Sequence, residues 1–242
     1  MSDCGGVIMS QFIVDSSFWE LFPEAKIGVV TLKDFNNIQE QLPEFEGLLK
    51  ESNEMATAYL TEPVFSDNAV IKVYRDAYKK FKTKKGVRSS IENLLKRSQG
   101  EKAVGNINLL VDIYNAASLR YALPCGAEDM DTFVGDLRLT ITEGGDEFYL
   151  IGEEENNPTL PNELCYKDDA GAVCRCFNWR DGARTMITPN TKNAFLVIEL
   201  IDPSREDALQ EALDFIVEKA STTLQAKVYK YIVTQTEPAI EL

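Results

Sequence analysis

The stretch Asn106–Pro124, NINLLVDIYNAASLRYALP, decides how the rest of the chain is read. Ile107, Leu110, Val111, Tyr114 and Tyr121 recur at helical spacing. Pro124 ends the helix, because proline lacks the amide hydrogen and clashes with the preceding turn. Asp112 and Asn115 stand three apart and share a different face with Leu119. Before this helix the pattern is mainly helical. From about Leu137 it becomes a succession of strands.

Upstream, QFIVDSSFWELFPEAKIGVVTLKDF reads as strand, short helix, strand, and Ile27–Leu32 is the clearer strand. PEFEGLLKESNEMATAYL and AVIKVYRDAYKKFKTKKG read as helices, the second ending at Gly86. In VRSSIENLLKR, Ser89 and Glu92 have the spacing of a capping box and open a further helix. Downstream, LRLTI, EFYLIG, ELCYKDD, AVCRCFNW, TMIT and NAFLVIELID read as strands, with turns at Gly144–Gly145 and Gly171. GEEENNPTLPNE reads as an exposed acidic loop. SREDALQEALDFIVEKASTTL is a last helix with Ser204 and Asp207 as its capping box, and AKVYKYIVT a closing strand. Late strands that follow one another directly predict an α+β fold, not a doubly wound one. Its mixed or largely antiparallel sheet is assembled from those strands, with helices around it. Residues 1–11 are read as a disordered leader, of which MSDCGGVI precedes a second methionine at position 9. The remainder, 12–242, is read as one domain, with an N-terminal strand-helix-strand and helical part (12–105) and a core (106–235).

The 242 residues are 44% hydrophobic and 26% charged, with a formal net charge of −14. That is a globular composition of ample size for a core. No stretch has the run of apolar residues that spans a bilayer, and no positive-then-apolar leader is seen at the start. Five cysteines at irregular spacing (Cys4, Cys125, Cys165, Cys174, Cys176) are not a disulfide framework, so a cytoplasmic location is expected. There is no histidine. That excludes Ser–His and Cys–His nucleophile pairs and the commonest zinc ligand.

The charge is unevenly spread. From Ile71 to Lys102 eleven basic side chains face three acidic ones, a local +8 that leaves −22 for the rest. Lys79, Lys80, Lys82, Lys84, Lys85 and Arg88 are candidates for contact with a nucleic-acid backbone. The plainer reading is a solvated helix face.

CRCFNWRDGART, Cys174–Thr185, holds three arginines, a tryptophan and two cysteines. Cys174 and Cys176 on a strand would point the same way, and Arg175 and Phe177 the other. With Cys165 they make three thiolates at most, and no histidine completes a tetrahedral zinc site. Neither metal nor cofactor is expected. WRDG reads as a turn: either Asp181 simply holds Arg180 or Arg184 in a local ion pair, or Trp179 and Arg180 stand as a stacking ring and a rigid cation at a pocket mouth. Glu199 lies inside NAFLVIELID, where an ionised carboxylate is costly unless paired. That makes it a site candidate.

These residues carry a resemblance. INLLVDIYNAASL resembles the INN-VVDITNYVML stretch of the bacterial phenylalanyl-tRNA synthetase beta subunit, and FNWRDG followed by Thr191-Lys-Asn193-Ala resembles its GVMGG and T-x-N-V-L-L-E stretches. These are signatures of the B3/B4 domain, which edits mischarged tRNA. The resemblance runs from about Arg88 to Leu200, and the whole chain looks like the free-standing B3/B4 proteins. Asp112, Asn115, Pro124, Asp129, Asp131, Gly182, Thr191 and Asn193 match the pattern. The family's histidine falls on Gly126, its hydroxyl-sensing glutamate on Val197 with Glu199 two residues on, and its first paired glycine on Asp181. The scaffold is thus shared while the walls of the specificity pocket differ.

The resemblance implies tRNA or aminoacyl-tRNA as partner. It also implies ester hydrolysis by a positioned water, helped by the terminal ribose hydroxyl, with no protein nucleophile. Asn115, Gly126, Trp179, Arg180 and Glu199 are expected around one cavity, with Asp181, Gly182 and Thr191 also binding substrate. The alternatives are a non-catalytic tRNA- or amino-acid-binding module of the same fold, and a hydrolase of small molecules.

Overall fold

The computed structural model describes residues 9–37 and 42–242, with only the backbone of Glu44 and Glu46. The expected leader falls largely outside them. Its last residues do not: Gln11 opens the first strand, and the Ser10 carbonyl accepts from the Leu242 amide.

The strands are β1 (Gln11–Val14), β2 (Lys26–Lys33), β3 (Cys125–Asp129), β4 (Leu137–Thr142), β5 (Glu163–Asp168), β6 (Gly171–Arg175), β7 (Arg180–Asp181), β8 (Ala194–Leu200), β9 (Lys227–Val233) and β10 (Ala239–Glu241). The helices are α1 (Ser16–Leu21), α2 (Pro43–Ala56), α3 (Ala69–Ala77), α4 (Ser90–Ser98), α5 (Leu109–Tyr121) and α6 (Glu206–Thr223). The strands form two sheets where one was expected. The first runs β10-β1-β4-β5-β6-β7, antiparallel except where β1 lies parallel to β4. The second runs β3-β8-β2-β9 and is wholly antiparallel. The early strands β1 and β2 complete sheets otherwise made of late strands.

The second sheet is covered on both faces, which is why β2 and β8 read as nearly unbroken apolar runs. Ile27, Val29, Phe195 and Val197 face the first sheet, meeting Phe12, Leu139, Leu164 and Tyr166. Val30, Leu32, Leu196 and Ile198 face the helices, meeting Leu110, Ile113, Leu209 and Leu213. Gly28 lies on the helix side. A Cβ there would come within 2.8 Å of Leu209, so glycine lets α6 approach β2.

Several local expectations are corrected. Helix α3 ends at Ala77 and not at Gly86, because Tyr78, Phe81 and Val87 turn into the inter-sheet core and the Lys82 amide bonds the Asn162 carbonyl. The buried face of α5 is Leu109, Leu110, Ile113, Ala116 and Ala117, while Ile107 precedes the helix and is exposed. Ser204 does not cap the last helix; it is taken up by Asp202 in a short turn, and Arg205 stands at the cap of α6. EFYLIG contributes only isolated bridges at Tyr149 and Leu150, and TMIT no strand. The turn near Trp179 comes earlier than expected, at 176–179 between β6 and β7. Cys176 (φ 50°) and Phe177 (φ 56°) are left-handed, so strand alternation stops at Arg175.

Arg175, 1% exposed, donates from Nε and Nη2 to the two Glu163 oxygens at 2.6 Å each, and from Nη1 to the Asn157 carbonyl at 2.9 Å. Burial of a paired arginine here ties the acidic loop to the sheet. Removing one partner strands the other charge. Arg175→Ala should therefore cost about 3–5 kcal/mol, measured from the urea midpoint at unchanged slope.

Candidate functional site

Strand β8 is buried at every residue. Its odd positions face the first sheet, so Glu199 enters the inter-sheet core, and its side chain is 0% exposed. The core supplies partners. Tyr166 of β5 donates its hydroxyl to Oε1 at 2.6 Å, and Asn178 of the β6–β7 turn donates its amide to Oε2 at 2.7 Å. The Tyr74 hydroxyl of α3 donates to the Glu199 carbonyl at 2.6 Å. Burial pushes the Glu199 carboxyl up to about 8, against the opposing pull of the two donors.

Gly126 pairs with Val197 across β3 and β8, and a Cβ on it would collide with the Asn178 amide. Asn178 thus occupies the space that a side chain at 126 would take. It was not among the sequence candidates, although it lies in the quoted hairpin. Tyr166 and Tyr74 were also missed, because their role depends on which strands pair.

Two residues along β3, on the same face as Gly126, stands Glu128. One carboxylate oxygen of Glu128, one of Asp181 and the Cys174 sulfur all lie within 4.8 Å of one another. The Cys174 sulfur lies 3.2 Å from Asp181 Oδ1 and 2.9 Å from the Phe177 carbonyl oxygen, so its one S–H can serve either acceptor. Burial raises the Glu128 carboxyl, with the Asp181 charge adding to it, and burial likewise raises the Asp181 carboxyl and the Cys174 thiol. The set of three thiolates weighed from sequence does not assemble. Cys165 is paired with Arg175 and Cys174 with Tyr166, so the two sulfurs leave opposite faces of the sheet.

Arg180 is exposed at the end of the hairpin. Its guanidinium lies 5.5 Å from the Trp179 ring centroid and forms no ion pair among the described residues. With Leu150, Ile151, Glu153 and Asp181 it lines an open depression of about 300 Å³. Arg184 pairs with Asp168 at 2.7 Å, not with Asp181. The structure therefore does not bring Arg180 and Glu199 into one cavity: the first is exposed, the second sealed.

The residues matched by the resemblance are largely structural. Asp112 accepts from Asn106 Nδ2 and the Ile107 amide, both at 2.8 Å, closing the entry to α5. Thr191 donates to Asp129 Oδ2 at 2.7 Å, and Asn193 donates to both Asp131 oxygens. Gly182 lies under the Phe148 ring, 3.2 Å from where a Cβ would stand. Asn115 is buried on α5.

The basic segment borders a cleft of about 430 Å³ lined by Tyr74, Arg75, Tyr78, Lys79, Arg88 and Glu92, among others. Arg75 and Arg88 pair with the buried Glu92 at 2.6 and 3.5 Å, and Lys79 with Asp76 at 2.7 Å. Lys80 donates to the Leu21 carbonyl at 3.1 Å. Lys82, Lys84 and Lys85 form no ion pair among the described residues, and all three are exposed. At the cleft's inner wall the Tyr74 and Tyr78 hydroxyls reach the carbonyls of Glu199 and Cys176, each at 2.6 Å. The cleft and the sealed carboxylate thus share a wall. No described helix is long and apolar enough to cross a membrane.

Residues 73–231 match the family model described as the B3/4 domain. The chain belongs to this family. No curated protein matches it by sequence. Among solved structures it is similar to an N-terminal fragment of the phenylalanyl-tRNA synthetase beta subunit from Pyrococcus horikoshii, at 12% identity and a TM-score of 0.46. The match takes in 91% of this chain and 53% of that one, so the chain spans about half the length of that fragment.

A carboxyl raised in the fold stays neutral there while its unfolded counterpart ionises. The stability it contributes is complete below its ordinary value of 4.5 and is lost as the pH rises toward about 8. Glu199→Gln removes that titration. The stability difference between wild type and Glu199→Gln should shift against wild type by up to about 1.4 kcal/mol per pH unit across this window. Urea melts of both proteins at matched pH read it, and parallel curves would refute the burial argument.

Proposed function

We propose that this chain is a trans-acting tRNA-editing protein that hydrolyses the ester of a mischarged aminoacyl-tRNA. The observation that carries the reading is the family match, which begins inside the basic segment and runs through both sheets. Lys82, Lys84 and Lys85 offer charge to the tRNA backbone without having to break an ion pair. Lys79, Lys80 and Arg88 flank them. Hydrolysis in a chain without histidine rests on positioning and on stabilising developing charge, not on a protein nucleophile. Arg180, held over Trp179 and in no ion pair among the described residues, is the cation suited to the ester or the terminal phosphate. Of the other candidates, Asp181 lines the depression beside it, while Asn115, Gly126, Gly182, Thr191 and Glu199 belong to the buried scaffold and act on the site only through the packing and hydrogen bonds described above.

One observation favours a second reading, a non-catalytic tRNA- or amino-acid-binding module. Asn178 and Glu199 close the space beside Gly126, and the depression at Arg180 is open. A deacylation screen over a panel of mischarged tRNAs separates the two: amino acid is released in the first case and only bound tRNA is seen in the second.

Replacing Lys82, Lys84 and Lys85 together by Ala should weaken tRNA binding across sequences. It should also lower the salt slope by about 2–3, near one for each phosphate that a lysine had neutralised. Arg180→Ala should lower the deacylation rate by about 10²–10³ with the melt unchanged. Loss of rate only in proportion to the folded fraction would make Arg180 structural.

A further inference from the structure

Glu128 is 4% exposed, and both of its carboxylate oxygens lack a hydrogen-bond partner among the described residues. A buried carboxylate in that state is costly. The hydroxyl of Thr185, itself fully buried, is also without a partner by hydrogen-bond geometry, and it stands beside Glu128 closely enough to favour its charged form. Glu128 thus stands beside Asp181 and Cys174, and Thr185 beside Glu128, without a hydrogen bond of good geometry to either Glu128 oxygen or to the Thr185 hydroxyl among the described residues.

We propose that Glu128, Asp181 and Cys174 form a site for a divalent transition metal of the zinc or cobalt class. The ligands come from three strands of two sheets: Glu128 from β3, Cys174 from β6 and Asp181 from β7. The set assembles only in the fold, and the cysteine spacing in the sequence carries no trace of it. Tetrahedral zinc holds a sulfur and an oxygen ligand about 3.5 Å apart. The Cys174 sulfur and Asp181 Oδ1 already stand at 3.2 Å. One soft sulfur with two carboxylates selects zinc or cobalt over magnesium and calcium, which take more oxygens and no thiolate. Thr185 then orients the Glu128 carboxylate from outside the ligand shell. Asp181, partly exposed at the Arg180 depression, gives the ion a way in from solvent. The site shares Asp181 with the tRNA reading but stands without it, and its test needs no tRNA.

Titration of the purified full chain with cobalt(II), without tRNA, tests the site. Wild type should bind one equivalent with a thiolate-to-cobalt charge-transfer band that zinc abolishes. Cys174→Ser should remove the band. Glu128→Gln, which keeps the size of the side chain, should weaken binding by about tenfold or more while its cooperative melt persists. Absence of one-equivalent binding by folded wild type overturns the proposal, as does a band that survives in Cys174→Ser. Should Cys174→Ser not melt cooperatively, Glu128→Gln decides alone, and a wild-type affinity in it overturns the site.

Discussion

The two sheets meet through one buried carboxyl. Glu199 belongs to the four-stranded sheet, while Tyr166 and Asn178, which hold its oxygens, belong to the six-stranded one and its β6–β7 turn. Tyr74 adds helix α3 through the backbone of the same residue. Apolar contact alone would let two sheets slide over one another, since burial has no direction. Hydrogen bonds to one carboxyl set a single register between them, and they explain why Gly126, which makes room for Asn178, has no side chain.

The same arrangement fixes the inner wall of the cleft beside α3. Its inner wall is Tyr74 and Tyr78, whose hydroxyls are committed to carbonyls of Glu199 and Cys176. Through them α3 and the segment after it are tied to the sheet-to-sheet hub and to the hairpin that carries Trp179 and Arg180. The cationic rim and the hairpin are in this sense two ends of one short chain of hydrogen bonds.

Much of the fold was legible because burial writes itself into periodicity. The unbroken apolar runs of β2 and β8 reported a sheet covered on both faces, and Glu199 stood out as a charge within such a run. What could not be read was partnership across the sequence. Tyr166 looks like any strand aromatic until β5 is known to face β8. Asn178 looks like a turn residue until Gly126 is known to lie beneath it. Arg175 and Arg180 sit five positions apart with similar neighbours, yet one is sealed against Glu163 and the other projects into solvent. Alternation failed to tell them apart because the strand breaks at Cys176. The +8 of the basic segment was legible, but the pairing of Arg75 with Glu92 and Lys79 with Asp76 was not.

The break itself depends on residues far away in the chain. Cys176 and Phe177 are successive non-glycine residues in the left-handed region, a conformation that costs of order 1–3 kcal/mol each and that local preference resists. The turn is held from outside, by the Tyr78 hydroxyl on the Cys176 carbonyl and by the rings of Phe18, Phe22, Tyr78 and Phe81 around Phe177. Those groups come from α1, from the chain after it, and from the segment after α3, all distant in sequence. The conformation of the hairpin therefore rests on tertiary contacts and not on local preference. Chains truncated from the N-terminal side past those aromatics would leave the arginine-bearing tip unformed.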